Sequence, residues 1–280
     1  MEKKHSGDLG KKIAYYALIG VFGLVFLCSA LYIGNYLLKS GEANNAYENL
    51  EQMRPPRPVA TQPKPPATDP STGETLPPTT AEPEPTAPGG MLIEQYPFYE
   101  MNNDMVGWIT VPDTKINYPV MQTPDNRDYY LNHDFKKQWS AWGAIYAREE
   151  CDVNEPSDNI TLYGHHMKDG SMFAGLDKFK KQAFWEDHQT FYFDTLYERH
   201  TYKIWAVFKT SANLDQGFPY HNFVDAANEE EFNEFVATVK RLQFYETGYT
   251  PEFGEKLLTL STCEYSLDNG RFVVCAVRID

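Results

Sequence analysis

Four side chains offer chemistry in combination: Cys263, Arg271 and the adjacent pair His165 and His166. The cysteine closes the apolar run LLTLSTC, Leu257 to Cys263, and Arg271 opens the next run, RFVV. Asp268-Asn269-Gly270 lies between the two runs, which therefore read as a hairpin with strands about 5 Å apart. A thiol at the end of one strand and a guanidinium at the start of its antiparallel neighbour project to the same end of a sheet. The histidines leave a third apolar run at Gly164, where the backbone can turn and present an imidazole to a cleft. A polar setting with a cation nearby makes a thiol reactive. A thiolate can attack an amide while an imidazolium protonates the leaving amine, and a fixed guanidinium can stabilise the oxyanion. Spacing alone does not say which imidazole serves.

The other cysteines suit that role less well. Cys275 sits between Val274 and Ala276 in a strand and reads as inert core, and Cys28 lies in an apolar segment. Cys151 has the acidic neighbours Glu149, Glu150 and Asp152, which raise a thiol pKa. His133, His188, His200 and His221 lie in polar surroundings and read as surface residues. No cluster with metal-ligand spacing is visible, so neither a metal nor another cofactor is expected.

The elements that must position these groups are short. Apolar and β-branched runs occur at 106–111, 116–121, 143–147, 159–163, 190–194, 201–211, 256–261 and 272–279, mostly bounded by Gly, Pro, Asn or Asp. That pattern predicts a mostly β domain of about eight strands. In the last run the continuous apolarity predicts burial on both faces. One helix is clear: Asn228 can cap, Glu231 follows three residues later, and Phe232, Phe235, Val236, Val239 and Leu242 share a face. It lies in the long connection between Ala212 and Lys256, and such connections are usually functional. Shorter helices are predicted near 96–103 and 173–181.

Ahead of this domain the composition changes twice. Residues 1–12 carry four lysines, and residues 13–38 contain no charge. Such a length spans a bilayer as a helix. The preceding lysines place the N-terminus in the cytoplasm and the rest outside. A retained signal anchor is the expectation, with a cleaved signal peptide the alternative. Residues 39–90 form a Pro-rich extracellular linker, with 12 of the 19 prolines between Pro55 and Gly90. Such a stretch is expected to be disordered and to reach roughly 100 Å at most. Residues 91–280 are then the catalytic domain. A net charge of −14 argues against nucleic acid as a partner.

The motifs MVGWITVPDTKINYPV, DYYLNHDF, ITLYGHHMKDGSMF and TLSTCEYSLDNGRFVV resemble, in order, those of class B sortases, the cysteine transpeptidases of Gram-positive bacteria. The resemblance covers Tyr96 to Asp280. It implies an eight-stranded sortase-type β-barrel with an N-terminal helix and a helix in the long connection before the Cys strand. It also implies His165 as acid/base, Cys263 as nucleophile and Arg271 as oxyanion and substrate clamp. Tyr163, Ser261, Glu264 and Leu131 match positions that line the substrate groove, and Arg127 takes the place of a family Asn. The implied reaction cleaves a C-terminal sorting motif of secreted proteins at Thr through a thioester. The acyl group then passes to an amine of a lipid-linked peptidoglycan precursor at the cell wall.

Three rivals remain. A pilin-polymerising sortase would differ only in using a pilin lysine as acceptor. A papain-type wall peptidase places its Cys before its His and at a helix, whereas here the Cys comes last and ends a strand. A tethered adhesion domain would leave the Cys, His and Arg arrangement without a purpose.

Overall fold

The computed structural model describes residues 6–57, 86–213 and 216–280. It divides into two units, Met1–Asn49 and Leu50–Asp280. The first is nearly all of helix α1 (Ser6–Met53), whose stretch from Ala14 is long and apolar enough to cross a membrane. The helix continues well past Leu38, so residues 39–53 are helical rather than part of a disordered linker. Pro55 and Pro56 follow at once and cannot continue it. Residues 58–85, the bulk of the expected linker, lie outside the described residues.

The second unit is built on a closed barrel of eight strands in the order β1-β2-β3-β4-β7-β8-β6-β5. The strands are β1 (Met105–Thr110), β2 (Asn117–Met121), β3 (Ile145–Ala147), β4 (Asn159–Tyr163), β5 (Thr190–Thr195), β6 (Arg199–Ser211), β7 (Leu257–Glu264) and β8 (Gly270–Arg278). Each overlaps one of the eight apolar runs. The pairs β2/β3 and β4/β7 are parallel and the rest antiparallel. Short helices α2 (Tyr96–Met101) and α3 (Gln182–Asp187) flank the barrel. The helix expected near 173–181 is a 3-10 helix, Phe173–Lys180.

Helix α4 (Glu229–Leu242) forms where the capping pattern placed it. Asn228 Oδ1 accepts from the Glu231 N–H at 3.0 Å, and the Glu231 carboxylate accepts from the Ala227 N–H at 2.8 Å. Acids in the first turn and Lys240 and Arg241 in the last suit the helix dipole. Phe232, Phe235, Val236 and Val239 are buried against Ala206, Phe208, Val273, Cys275 and Val277 on the outside of β6 and β8. Full burial of each such side chain stabilises by roughly 1.5–3 kcal/mol as an upper estimate. Leu242, at the end of the stripe, is exposed. Because α4 covers the outer face while Val274 and Ala276 are buried inside, β8 is apolar on both faces. Cys275 belongs to this layer.

The segment after α1 grips the barrel. Arg54 Nη2 lies 2.7 Å from Asp194 Oδ2 and Arg57 Nε lies 3.1 Å from Asp194 Oδ1, with the Asp194 side chain only 1% exposed. Arg54 also covers the Trp108 ring and Arg57 the Tyr192 ring. A carboxylate so deeply buried needs such partners. Beyond residue 85 the chain rejoins the same region, where the Leu92 N–H donates to the Leu196 carbonyl at 2.7 Å.

Candidate active site

Strands β4 and β7 run in parallel with Tyr163 beside Ser261. One step further, the Gly164 N–H donates to the Ser261 carbonyl and Thr262 Oγ1 donates to the Gly164 carbonyl at 2.7 Å. A Cβ on Gly164 would stand 2.5 Å from Ile145 Cδ1 and 2.7 Å from Phe173 Cγ, so the glycine is required by close packing. The Phe173 N–H then donates to the His165 carbonyl at 2.9 Å. The backbone carrying His165 is thus tied to the cysteine strand on one side and to the 3-10 helix on the other. The His165 ring places Nε2 2.8 Å from the Leu131 carbonyl. A carbonyl only accepts, so that nitrogen carries the hydrogen.

In the β7–β8 hairpin, Cys263 is directly opposite Arg271. Opposed residues of antiparallel strands put their side chains on the same face. Arg271 Nη1 donates to the Gly270 carbonyl at 3.0 Å and to Asn269 Oδ1 at 3.1 Å, which steadies the guanidinium at the turn. Cys263, His165 and Arg271 line one groove of about 330 Å³.

Only one thiol of the barrel is available. Cys263 is half-buried, whereas Cys151 and Cys275 are buried. Burial pushes the Cys151 thiol up to about 11 and the Cys275 thiol up to about 12. For Cys151 the acidic neighbours are a minor contributor, so desolvation keeps it inert rather than the charges read from the sequence.

Tyr163, Ser261 and Leu131 also line the groove, but Glu264 does not. Strand alternation turns Glu264 away from the face shared by Ser261 and Cys263. Its carboxylate accepts from Ser266 Oγ at 2.7 Å and lies 3.6 Å from Lys180 Nζ. Burial alone would raise that carboxyl, but the Ser266 bonds and the two lysines Lys180 and Lys209 bring it below the ordinary range. Neighbouring His166 is turned out of the groove, with Nε2 3.0 Å from Asp177 Oδ2 and its ring against the edge of Tyr265.

Two histidines read as surface residues are placed otherwise. His200 is buried beside Asp280, and His221 lines the groove next to Tyr220. The connection before β7 supplies Ala212, Tyr220 and His221 to the site. Tyr220 is buried, with its hydroxyl 2.5 Å from Ser261 Oγ. Burial raises the Tyr220 hydroxyl above the ordinary tyrosine value. Arg127, Asp128, Tyr146 and Arg148 form the remaining wall. The sequence offers no periodic signal for Tyr220 and His221, which lie in a single 3-10 turn, Tyr220–Asn222, too short to show one. Tyr146 and Arg148 show one in retrospect, since positions two apart on an extended strand share a face. Among the described residues no group of His, Cys, Asp or Glu is placed to hold a metal.

Against known proteins, the sortase domain model matches residues 109–279. The chain is 35% identical over 178 residues to sortase B of Listeria monocytogenes, covering 62% of this chain and 70% of that one. It is 33% identical over 181 residues to sortase B of Staphylococcus aureus, covering 63% and 71%. Among solved structures, Bacillus anthracis sortase B in complex with AAEK1 is similar at a TM-score of 0.68 and 27% identity, over 87% of this chain and 99% of that one. A substrate complex of Staphylococcus aureus sortase B is similar at a TM-score of 0.62 and 29% identity, over 69% and 87%.

Proposed function

Because the chain belongs to the sortase family and to its class B, cysteine transpeptidases that anchor proteins to the cell wall, we propose that Cys263, His165 and Arg271 carry that reaction here. Supporting this reading is one observation: a half-buried thiol and a guanidinium on one rung of β7–β8 share a groove with an imidazole whose backbone is fastened to the same β7.

The thiolate of Cys263 attacks the carbonyl carbon of the Thr in the sorting motif. The carbonyl oxygen takes up negative charge, which the Arg271 donors not engaged at Asn269 and Gly270 stabilise. The C–N bond breaks as protonated His165 gives its proton to the departing amine, and the acyl group remains on sulfur as a thioester. An incoming amine then attacks that carbon, His165 takes its proton, and the C–S bond breaks to return the thiolate. Tyr163, Ser261 and Leu131 hold the peptide along the groove, with Tyr220 fixing Ser261.

The substrates are secreted proteins bearing a C-terminal sorting motif, and the acceptor is an amine of a lipid-linked peptidoglycan precursor. Helix α1 anchors the enzyme in the membrane, with the N-terminus in the cytoplasm and the barrel facing the wall. The full chain in detergent is incubated with Asn-Pro-x-Thr and Pro-x-Thr-Gly peptide sets, with and without an added amine. Amine-dependent ligation after Thr, with an acyl adduct on Cys263 by mass spectrometry, is the expected result. Cleavage to free acid that no amine diverts would instead mark a peptidase.

A further inference from the structure

The groove wall away from the sulfur is cationic, although the whole chain carries a net charge of −14. Arg127, Arg148 and His221 all line it, and Asp128, with Oδ2 3.8 Å from Arg127 Nε, is the one acid among its lining residues. Asp128 Oδ1 already accepts from the Tyr146 hydroxyl at 2.9 Å. The arginines are steadied from outside the groove by two successive acids after β3. Arg127 Nε lies 2.7 Å from Glu149 Oε1, and Arg148 Nε lies 2.8 Å from Glu150 Oε2. Neither glutamate lines the groove. Glu150 also takes Arg148 Nη2 at 3.1 Å, so of the five N–H donors of that guanidinium those on Nη1 are left for the groove side. Arg148 Nη1 is directed instead toward the Tyr163 hydroxyl at the groove surface, 3.5 Å away. The Arg148 side chain is 9% exposed, so this charge is fixed in place.

We propose that Arg127, Arg148 and His221 form a carboxylate-binding subsite beside the reactive cysteine, taking an acidic group of one of the two reacting partners. Guanidinium forks match a carboxylate in geometry and charge, and the Tyr163 hydroxyl supplies a further donor. The register sets the distance. Arg148 follows Ala147, the partner of Leu162 on β4, and Ser261 pairs with Tyr163. Arg148 thus stands opposite Thr161, which pairs with Thr259, and strand spacing and rise put its backbone roughly 16 Å from that of Cys263, a gap that the two side chains narrow. That span suits either an acidic side chain in the sorting peptide or a carboxylate carried by the acceptor amine. His221 lies within reach of the same cations. Burial, followed by the charges of Arg148, Arg127 and Arg271, holds its pKa below the ordinary imidazole value. The inference deepens the transpeptidase reading and rests on it for the identity of the two partners.

The test separates the two sources and does not need turnover. Full-length protein in detergent carrying Cys263→Ala is titrated calorimetrically with matched pairs. One pair is Asn-Pro-Glu-Thr and Asn-Pro-Gln-Thr peptides, and the other is 6-aminohexanoate and 6-aminohexanamide. The expected result is that the acid of one pair binds roughly five- to tenfold more tightly than its amide. Arg148→Gln and Arg127→Gln each reduce that preference. Preference in the peptide pair assigns the subsite to the sorting signal, and preference in the amine pair assigns it to the acceptor. Equal binding of acid and amide in both pairs overturns the proposal, as does a preference that both substitutions leave intact. Loss of the transpeptidase reading would show separately, as absence of the acyl adduct in the protein with Cys263 intact.

Discussion

Cys263 and Arg271 occupy one rung of the β7–β8 ladder, each directly across from the other. β7 is also bound to β4 and β8 to β6, so neither strand is a free edge. A slip of one residue would turn every side chain of the moved strand to the opposite face. Closure of the barrel therefore holds thiol and guanidinium together. Arg271→Lys keeps the charge but loses the fork, and kcat for peptide cleavage should fall by roughly 100-fold with the fold intact. Cys263→Ala should abolish cleavage. Retention of most of the wild-type kcat by the lysine variant would remove Arg271 from the oxyanion role.

The adjacent histidines should separate cleanly. His165→Ala should be as inactive as the cysteine variant, because its ring lies in the groove. His166→Ala should keep most activity, since its ring pairs with Asp177 outside the groove. Steady-state cleavage of a motif peptide checks both, and the reverse ranking would exchange the two assignments.

Thr262 tests whether tying the histidine turn to the cysteine strand matters for catalysis. Thr262→Val removes the donor to the Gly164 carbonyl at a cost of about 1 kcal/mol. A purely structural role would lower the melting temperature and leave kcat per folded enzyme unchanged. A positioning role should lower kcat several-fold with KM nearly constant, because the bond holds the turn that carries His165. Unchanged kcat is the outcome that would reject positioning.

His188 gives a pH-dependent stability outside the groove. Its ring bonds the Phe184 carbonyl and the Asp113 carboxylate, both at 2.8 Å, joining α3 to the β1–β2 turn. The carbonyl bond first, then the carboxylate, raises its pKa above 6.5. A group raised on folding stabilises fully below its unfolded pKa and loses that contribution as pH rises through the folded value. His188→Gln should therefore destabilise more at pH 5.5 than at pH 9, as read by chemical denaturation at both. A difference that grows with pH would contradict the sign.

Much of the barrel was legible because its strands are short, apolar and punctuated by turn residues, and α4 because Asn228 and Glu231 form a cap ahead of a regular stripe. Sortase motifs pointed to Cys263, His165 and Arg271, and hairpin geometry independently joined two of them. Glu264 was misplaced because motif alignment gives a position but not a face, and here alternation turns the carboxylate to Ser266. Tyr220 and His221 carried no local signal, since their approach to Ser261 depends on how the long connection folds over β8. Cys151 was dismissed for a secondary reason, because burial cannot be read from acidic neighbours. The continuation of α1 past Lys39 was hidden by charged residues that are good helix formers and need no apolar stripe.

The grip of Arg54 and Arg57 on Asp194 makes the stretch from Leu50 to Arg57 part of the barrel unit, although its first half is the last turn of a helix that begins elsewhere. Leu92, bound to Leu196, fastens the chain to the end of the same strand β5. Neutralising Asp194 would leave both guanidinium groups without their buried partner and loosen the hold of this segment on the barrel.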